Sequence, residues 1–181
     1  MRAAMTAIEA GALDARVRLV VSNRRDAPAL SFARAHGAPT LCIPTLADPE
    51  AADRRLAHAL RAARVEWVVL SGYLRKLGPR TLAAFAGRIL NIHPGLLPRH
   101  GGPGMYGRRV HDAVIAAGDT ITGASVHLVD DEYDHGEVLA QARVPVALGD
   151  TAETLERKVT AIEPQLLLST LRDVAGNARR A

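Results

Sequence analysis

Short apolar runs that alternate with helix-forming stretches constrain this chain more than any other feature. Val65 to Ser71 is the strongest run, and its apolar character calls for burial on both faces, as a parallel strand requires. Val17 to Val21 and Thr40 to Ile43 precede it, and Arg88 to Asn91 follows. Between them the sequence predicts helices over Pro28 to His36, Pro49 to Arg64 and Pro79 to Ala86, with an opening helix from Ala3 to Ala10 closed by Gly11. Strand and helix in alternation specify an α/β protein with a doubly wound, mostly parallel Rossmann-like sheet.

The second half changes rhythm. Helix Arg108 to Ala117 follows a glycine-rich loop, Gly101 to Gly107. Two further strands, Gly123 to Val129 and Val138 to Val144, flank the acidic turn Asp130 to Gly136. A long final helix, Thr151 to Val174, opens with Thr151 as its cap and Glu153 or Thr154 in its first turn. At 181 residues, 48% hydrophobic and 23% charged, the chain suits one domain, 1–181, with a proper core.

Composition also narrows the function. The net charge of +4 comes almost wholly from scattered arginines, and aromatics make up 3% of residues, so no stacking platform for nucleic acid exists. No apolar stretch reaches the roughly 20 residues of a membrane span, and no signal-peptide core opens the chain, which leads us to expect a cytoplasmic protein. The single cysteine, Cys42, lies between Leu41 and Ile43 and is expected to be a buried structural thiol. No His, Cys and Asp cluster has zinc-site spacing, and no serine occupies a nucleophile elbow, so no metal and no acyl-enzyme are expected.

Asn91 and His93 stand two apart where a predicted strand meets the prolines at 94 and 98. Side chains so spaced share one face. An amide and an imidazole converging on one atom suit a carbonyl oxygen that becomes an oxyanion. The same spacing equally describes a strand end with turn-forming hydrogen bonds. His127 alternates with Ser125 on the next strand, which allows either the same cleft or a core histidine bonded to backbone. Asp134 lies in the acidic turn with Asp130, Asp131 and Glu132, and an aspartate brought near His93 favours the imidazolium and can relay protons through water.

Six segments taken together resemble the folate-dependent formyltransferases: Val17 to Asn23, Leu70 to Leu77, Gly87 to Pro98, Gly123 to Val129, Asp134 to Gln141 and Gly149 to Thr151. The order Asn-x-His-Pro, then Gly-x-Ser-x-His, then an Asp shortly before a glycine is specific. The resemblance implies that Asn91, His93 and Asp134 form a catalytic trio supported by His127. It implies 10-formyltetrahydrofolate as co-substrate, held by Leu74, Arg75, Leu77, Val129, Asp130 and Asp131. It further implies the amine of glycinamide ribonucleotide as acceptor, bound by Glu163. The partners are then small molecules, with a homo-oligomer allowed. Sugar-amine formylation uses the same trio and is an alternative.

Two departures bear on these expectations. Thr160 stands where relatives often carry glutamine. More seriously, relatives open with a central strand and a Gly-x-Gly-Ser-Asn turn that cradles a phosphate at the first helix, whereas this chain begins inside that helix. Each unpaired buried backbone group costs about 1–3 kcal/mol, so several together rival a typical net stability of about 5–15 kcal/mol. The expectation is therefore that Met1 is an internal methionine and that an upstream strand and phosphate loop complete the protein. The alternative is a short form, either an inactive folate-binding remnant or one that borrows a strand from a partner.

Overall fold

The computed structural model describes residues 1–178. Six helices and six strands follow in the order α1 (Arg2–Glu9), β1 (Val20–Ser22), α2 (Pro28–Ala35), β2 (Thr40–Cys42), α3 (Pro49–Ala62), β3 (Val68–Leu70), α4 (Pro79–Ala84), β4 (Ile89–His93), α5 (Arg108–Ala116), β5 (Ile121–Leu128), β6 (Val138–Pro145) and α6 (Ala152–Ala178). Helix starts follow local chemistry. Prolines occupy the first positions of α2, α3 and α4, and the Asp48 carboxylate accepts the Ala51 N–H at 2.8 Å to cap α3. Ahead of α6, Thr151 and Thr154 exchange bonds, each hydroxyl accepting the other's backbone N–H.

The strands form two sheets. β1 and β2 pair in parallel, while β3, β4, β5 and β6 lie side by side in that order. β3 and β4 are parallel, and the last two strands run antiparallel to their neighbours. Alternation along β4 and β5 divides the larger sheet. Leu90, Ile92, Ala124 and Val126 face α6 and pack with Val159, Leu166 and Leu167. Asn91, His93, Ser125 and His127 take the opposite face.

Between β1 and β3 lies a cavity of about 790 Å³, walled by Val20 and Val21 on one side and Val68 and Val69 on the other. Met5 of α1 and Leu171 of α6 also line it. This corrects two expectations. Val65 to Ser71 contributes only three paired residues, and these are half-buried, because one edge of β3 borders the cavity instead of a neighbouring strand. Cys42, expected to be buried, is half-buried because β2 pairs on one side only in a two-stranded sheet.

A buried carboxylate joins α3 to α4. The first helical position of α4 follows Gly78, which has no side chain to offer as a cap, and Asp53 supplies one from α3. Its oxygens accept the Arg80 N–H at 2.9 Å, the Thr81 N–H at 3.0 Å and the Thr81 hydroxyl at 2.6 Å. A Cβ at Gly78 would overlap the Asp53 carboxylate. Replacing Asp53 with Ala leaves these buried donors unmatched, and we expect a loss of about 1–3 kcal/mol, read as a lower urea midpoint. Gly78→Ala should destabilise in the same direction by displacing the same carboxylate.

Candidate active site

Four polar side chains run in sequence across the face of β4 and β5 that turns away from α6. The antiparallel register sets Asn91 opposite His127 and His93 opposite Ser125. The Asn91 amide nitrogen lies 3.0 Å from His127 Nε2. His127 Nε2 is 3.5 Å from Asp134 Oδ1, and Asp134 Oδ2 is 3.5 Å from His93 Nδ1. A single aspartate thus bridges two imidazoles that belong to neighbouring strands.

Hydrogen bonds fix which nitrogen does what. His127 Nδ1 donates to the Leu128 carbonyl at 2.8 Å, which turns Nε2 toward both the Asn91 side-chain amide and Asp134. His93 Nε2 donates to the His100 carbonyl at 2.9 Å, which leaves Nδ1 as the nitrogen that gains and loses a proton beside Asp134. Asp134 Oδ2 also accepts the Gly102 N–H at 3.0 Å. Asp134 has φ +55, unusual for a residue other than glycine but accessible to aspartate.

Ser125 secures the turn that follows β4. Its hydroxyl donates to the Gly95 carbonyl at 2.7 Å and accepts from the Leu97 N–H at 3.0 Å. Gln141 of β6 donates to the same hydroxyl at 2.8 Å and to the Leu97 carbonyl at 2.9 Å. Gly123 begins this Gly-x-Ser-x-His stretch because a Cβ there would overlap the Ala142 carbonyl of the adjoining strand.

His93 is 3% exposed, and burial pulls its pKa below the ordinary imidazole value of 6.5, opposed in part by Asp134 and the His100 carbonyl. Burial raises the Asp134 carboxyl, but its contacts with His127, His93 and the Gly102 N–H outweigh burial and hold it below the ordinary carboxylate range.

The other sequence-predicted residues fall around this centre. Leu77 is buried against Leu60, Phe85 and Ile89, and Val129 packs on the same cluster. Leu74 is 63% exposed, and Arg75 lines the cavity beside β3. Asp130 binds its own loop, taking the Glu132 N–H and pairing with His135 at 2.9 Å, while Asp131 is exposed. Glu163 lies within α6, where burial raises its carboxyl and the Met1 ammonium charge counteracts that rise. Ser125 was visible in the sequence only as a partner in alternation, and Gln141 only as the end of a matched segment. Among the described residues no three His, Cys, Asp or Glu side chains gather as a metal ion needs, and no helix is long and apolar enough to cross a membrane.

The α/β fold is that of the formyltransferases, as the match to solved structures of that class shows. The chain belongs to the formyl transferase family, whose model matches residues 1–171. It is 39% identical over 165 residues to the chloroplastic phosphoribosylglycinamide formyltransferase of Arabidopsis thaliana, covering 89% of this chain and 56% of that protein. It is 38% identical over 165 residues to the phosphoribosylglycinamide formyltransferase of Escherichia coli K12, covering 90% of this chain and 76% of that one. The crystal structure of phosphoribosylglycinamide formyltransferase from Bacillus halodurans superposes with a TM-score of 0.88 at 32% identity, covering 98% of this chain and 90% of that one. Thus the chain spans about half the length of the plant relatives, 56% and 52%, and more of the bacterial ones.

The lowered His93 pKa has a signed consequence. Below 6.5 the unfolded chain binds the proton more readily than the folded one, so His93 makes stability fall with pH through that region and level off below its folded pKa. Buried His111 acts in the same direction and exposed His135 in the opposite one, which makes a difference measurement necessary. Urea titrations at several pH values should show a shallower acid decline in His93→Asn than in the parent chain between pH 6.5 and the folded pKa.

Proposed function

We propose that this chain transfers a formyl group from 10-formyltetrahydrofolate to the amine of glycinamide ribonucleotide, a step of purine synthesis. The observation that carries this reading is the linked array of Asn91, His127, Asp134 and His93, with spacings of 3.0–3.5 Å. In the reaction the amine nitrogen adds to the formyl carbon, and the carbonyl oxygen becomes an oxyanion. The amine then loses a proton, the folate nitrogen gains one, and the bond between carbon and folate nitrogen breaks.

Each member of the array has a role in that sequence. Asn91 gives one amide N–H to His127 and directs the other at the oxyanion. His93 takes up a proton at Nδ1 and, as imidazolium, stabilises the same oxygen before returning the proton toward the leaving nitrogen. Asp134 faces His93 Nδ1 and supports the charge of the imidazolium. His127 holds the Asn91 amide in its useful orientation. Leu74, Arg75, Val129, Asp130 and Asp131 border the folate, with Leu77 behind them in the core. Glu163 receives the substrate amine, and burial within α6 raises its carboxyl. A cytoplasmic setting belongs to the same reading, since Cys42 is the only cysteine.

Formyl transfer followed directly with the two substrates tests this. We expect His93→Ala and Asn91→Ala each to lower the rate roughly 10²- to 10³-fold. An unchanged rate in His93→Ala overturns the mechanism, and transfer to an amino sugar in place of glycinamide ribonucleotide overturns the acceptor.

The domain itself requires one further element in this reading: an extended parallel strand in the cavity between β1 and β3, leading into α1 at Met1. Its support is geometric. A strand there unites the two sheets, hydrogen-bonds to both facing edges, and makes α1 the right-handed crossover to β1. Adding an apolar strand of about six residues and a glycine-rich turn before Met1 should raise the thermal midpoint and slow amide exchange in β1 and β3. Unchanged exchange at both edges overturns it, and an extended chain that is stable but inactive favours a folate-binding remnant.

A further inference from the structure

Asp119 stands just beyond α5, at one side of the site, and touches none of the four residues in the catalytic array. Its side chain is nonetheless 14% exposed and doubly engaged. Oδ2 lies 2.6 Å from His100 Nε2, and Oδ1 accepts from Arg99 Nη2 at 2.7 Å. His100 is itself only 15% exposed and has φ +53, a left-handed backbone conformation that costs a residue other than glycine about 1 kcal/mol or more.

That conformation has a clear geometric effect. The His100 carbonyl receives the His93 Nε2 hydrogen at 2.9 Å, and two residues later the Gly102 N–H reaches Asp134 at 3.0 Å. One backbone segment, 100–102, therefore grips both the imidazole and the carboxylate that face each other in the site. The segment fits closely: a Cβ at Gly101 would meet the Leu97 side chain and crowd Asp134 Cβ at 3.2 Å.

We infer that Asp119 is a positioning residue, which anchors His100 and Arg99 so that segment 100–102 holds His93 in its Nε2–H tautomer and orients Asp134. Without the anchor the strained backbone at His100 relaxes. Its carbonyl then no longer dictates which His93 nitrogen carries the hydrogen, and Asp134 loses its backbone donor. The charged or titratable groups around His93 are Asp134, His127 and His111, and around Asp119 they are Arg99 and His100, so an Asp119 substitution leaves the His93 surroundings chemically intact.

The catalytic consequence rests on the formyl-transfer reading, but the tautomer does not, and the test uses both. Long-range ¹H–¹⁵N spectra of the full chain labelled in histidine should show His93 protonated at Nε2 and titrating at Nδ1. In Asp119→Ala we expect a mixture of tautomers at His93 and a downward shift of its titration midpoint, because the His100 carbonyl helps to hold the proton. With both substrates, kcat should fall roughly 10- to 100-fold with KM nearly unchanged. His100→Gln should largely preserve both readouts, since its side-chain amide reaches about as far as Nε2 and can donate to Asp119.

A His93 spectrum and titration in Asp119→Ala identical to those of the parent chain overturn the inference. Changed spectra in a protein that never transfers formyl overturn the proposed reaction and leave the positioning role standing. Should Asp119→Ala lose cooperative unfolding, Asp119→Asn is read by the same two criteria, as it keeps an acceptor for Arg99 and removes the charge facing His100.

Discussion

The antiparallel register of β4 against β5 is the constraint on which the site depends. It sets Asn91 across from His127 and His93 across from Ser125 while Leu90, Ile92, Ala124 and Val126 enter the core under α6. A shift of one residue in either strand would exchange the two faces, burying the amide and imidazoles beneath the helix and exposing the valine and leucine. The hydrophobic demand for the α6 side thus fixes the polar side. Core packing and site geometry are two consequences of one pairing.

The loops add what the strands cannot. Register alone leaves the imidazoles free to rotate, and their orientation comes from backbone carbonyls, Leu128 for His127 and His100 for His93. Ser125 and Gln141 secure the turn at residues 95–97 from below, and the Asp119 contacts secure residues 99 and 100 from the side. Most of these bonds join a side chain to a distant backbone group. They convert a polypeptide loop into a rigid support for titratable side chains.

Legibility in the sequence follows the same division. Asn91 and His93 were readable because a strand's two-residue period places them on one face, and Thr151 because helix caps are local. The arrival of Asp134 beside His93 came from the resemblance, since spacing across about forty residues carries no direction, and the pairing of β4 with β5 was not read at all. Asp53, His100, Asp119 and Gln141 had no local signature at all: each acts through a partner 7 to 44 positions away. The half-burial of Val68 to Leu70 escaped for a different reason. An apolar run reports that two neighbours are wanted, and in this structure one flank of β3 meets a cavity.

That cavity leaves the polar array at a distance. The array is built on β4 and β5 and on loops that follow them, one strand removed from the β3 edge that borders the empty space. Its supporting bonds run to residues 95–102, 119, 128 and 141, and none of these lines the cavity. The start of α1 is differently placed, because Met1, Ser71 and Arg75 all border that space. A strand seated between β1 and β3 would consequently act on stability and on the surroundings of Met1 more than on the tautomers and spacings of the array. The chemistry at His93 and the completeness of the sheet are structurally separable, joined chiefly through β3 and the shared packing on α6.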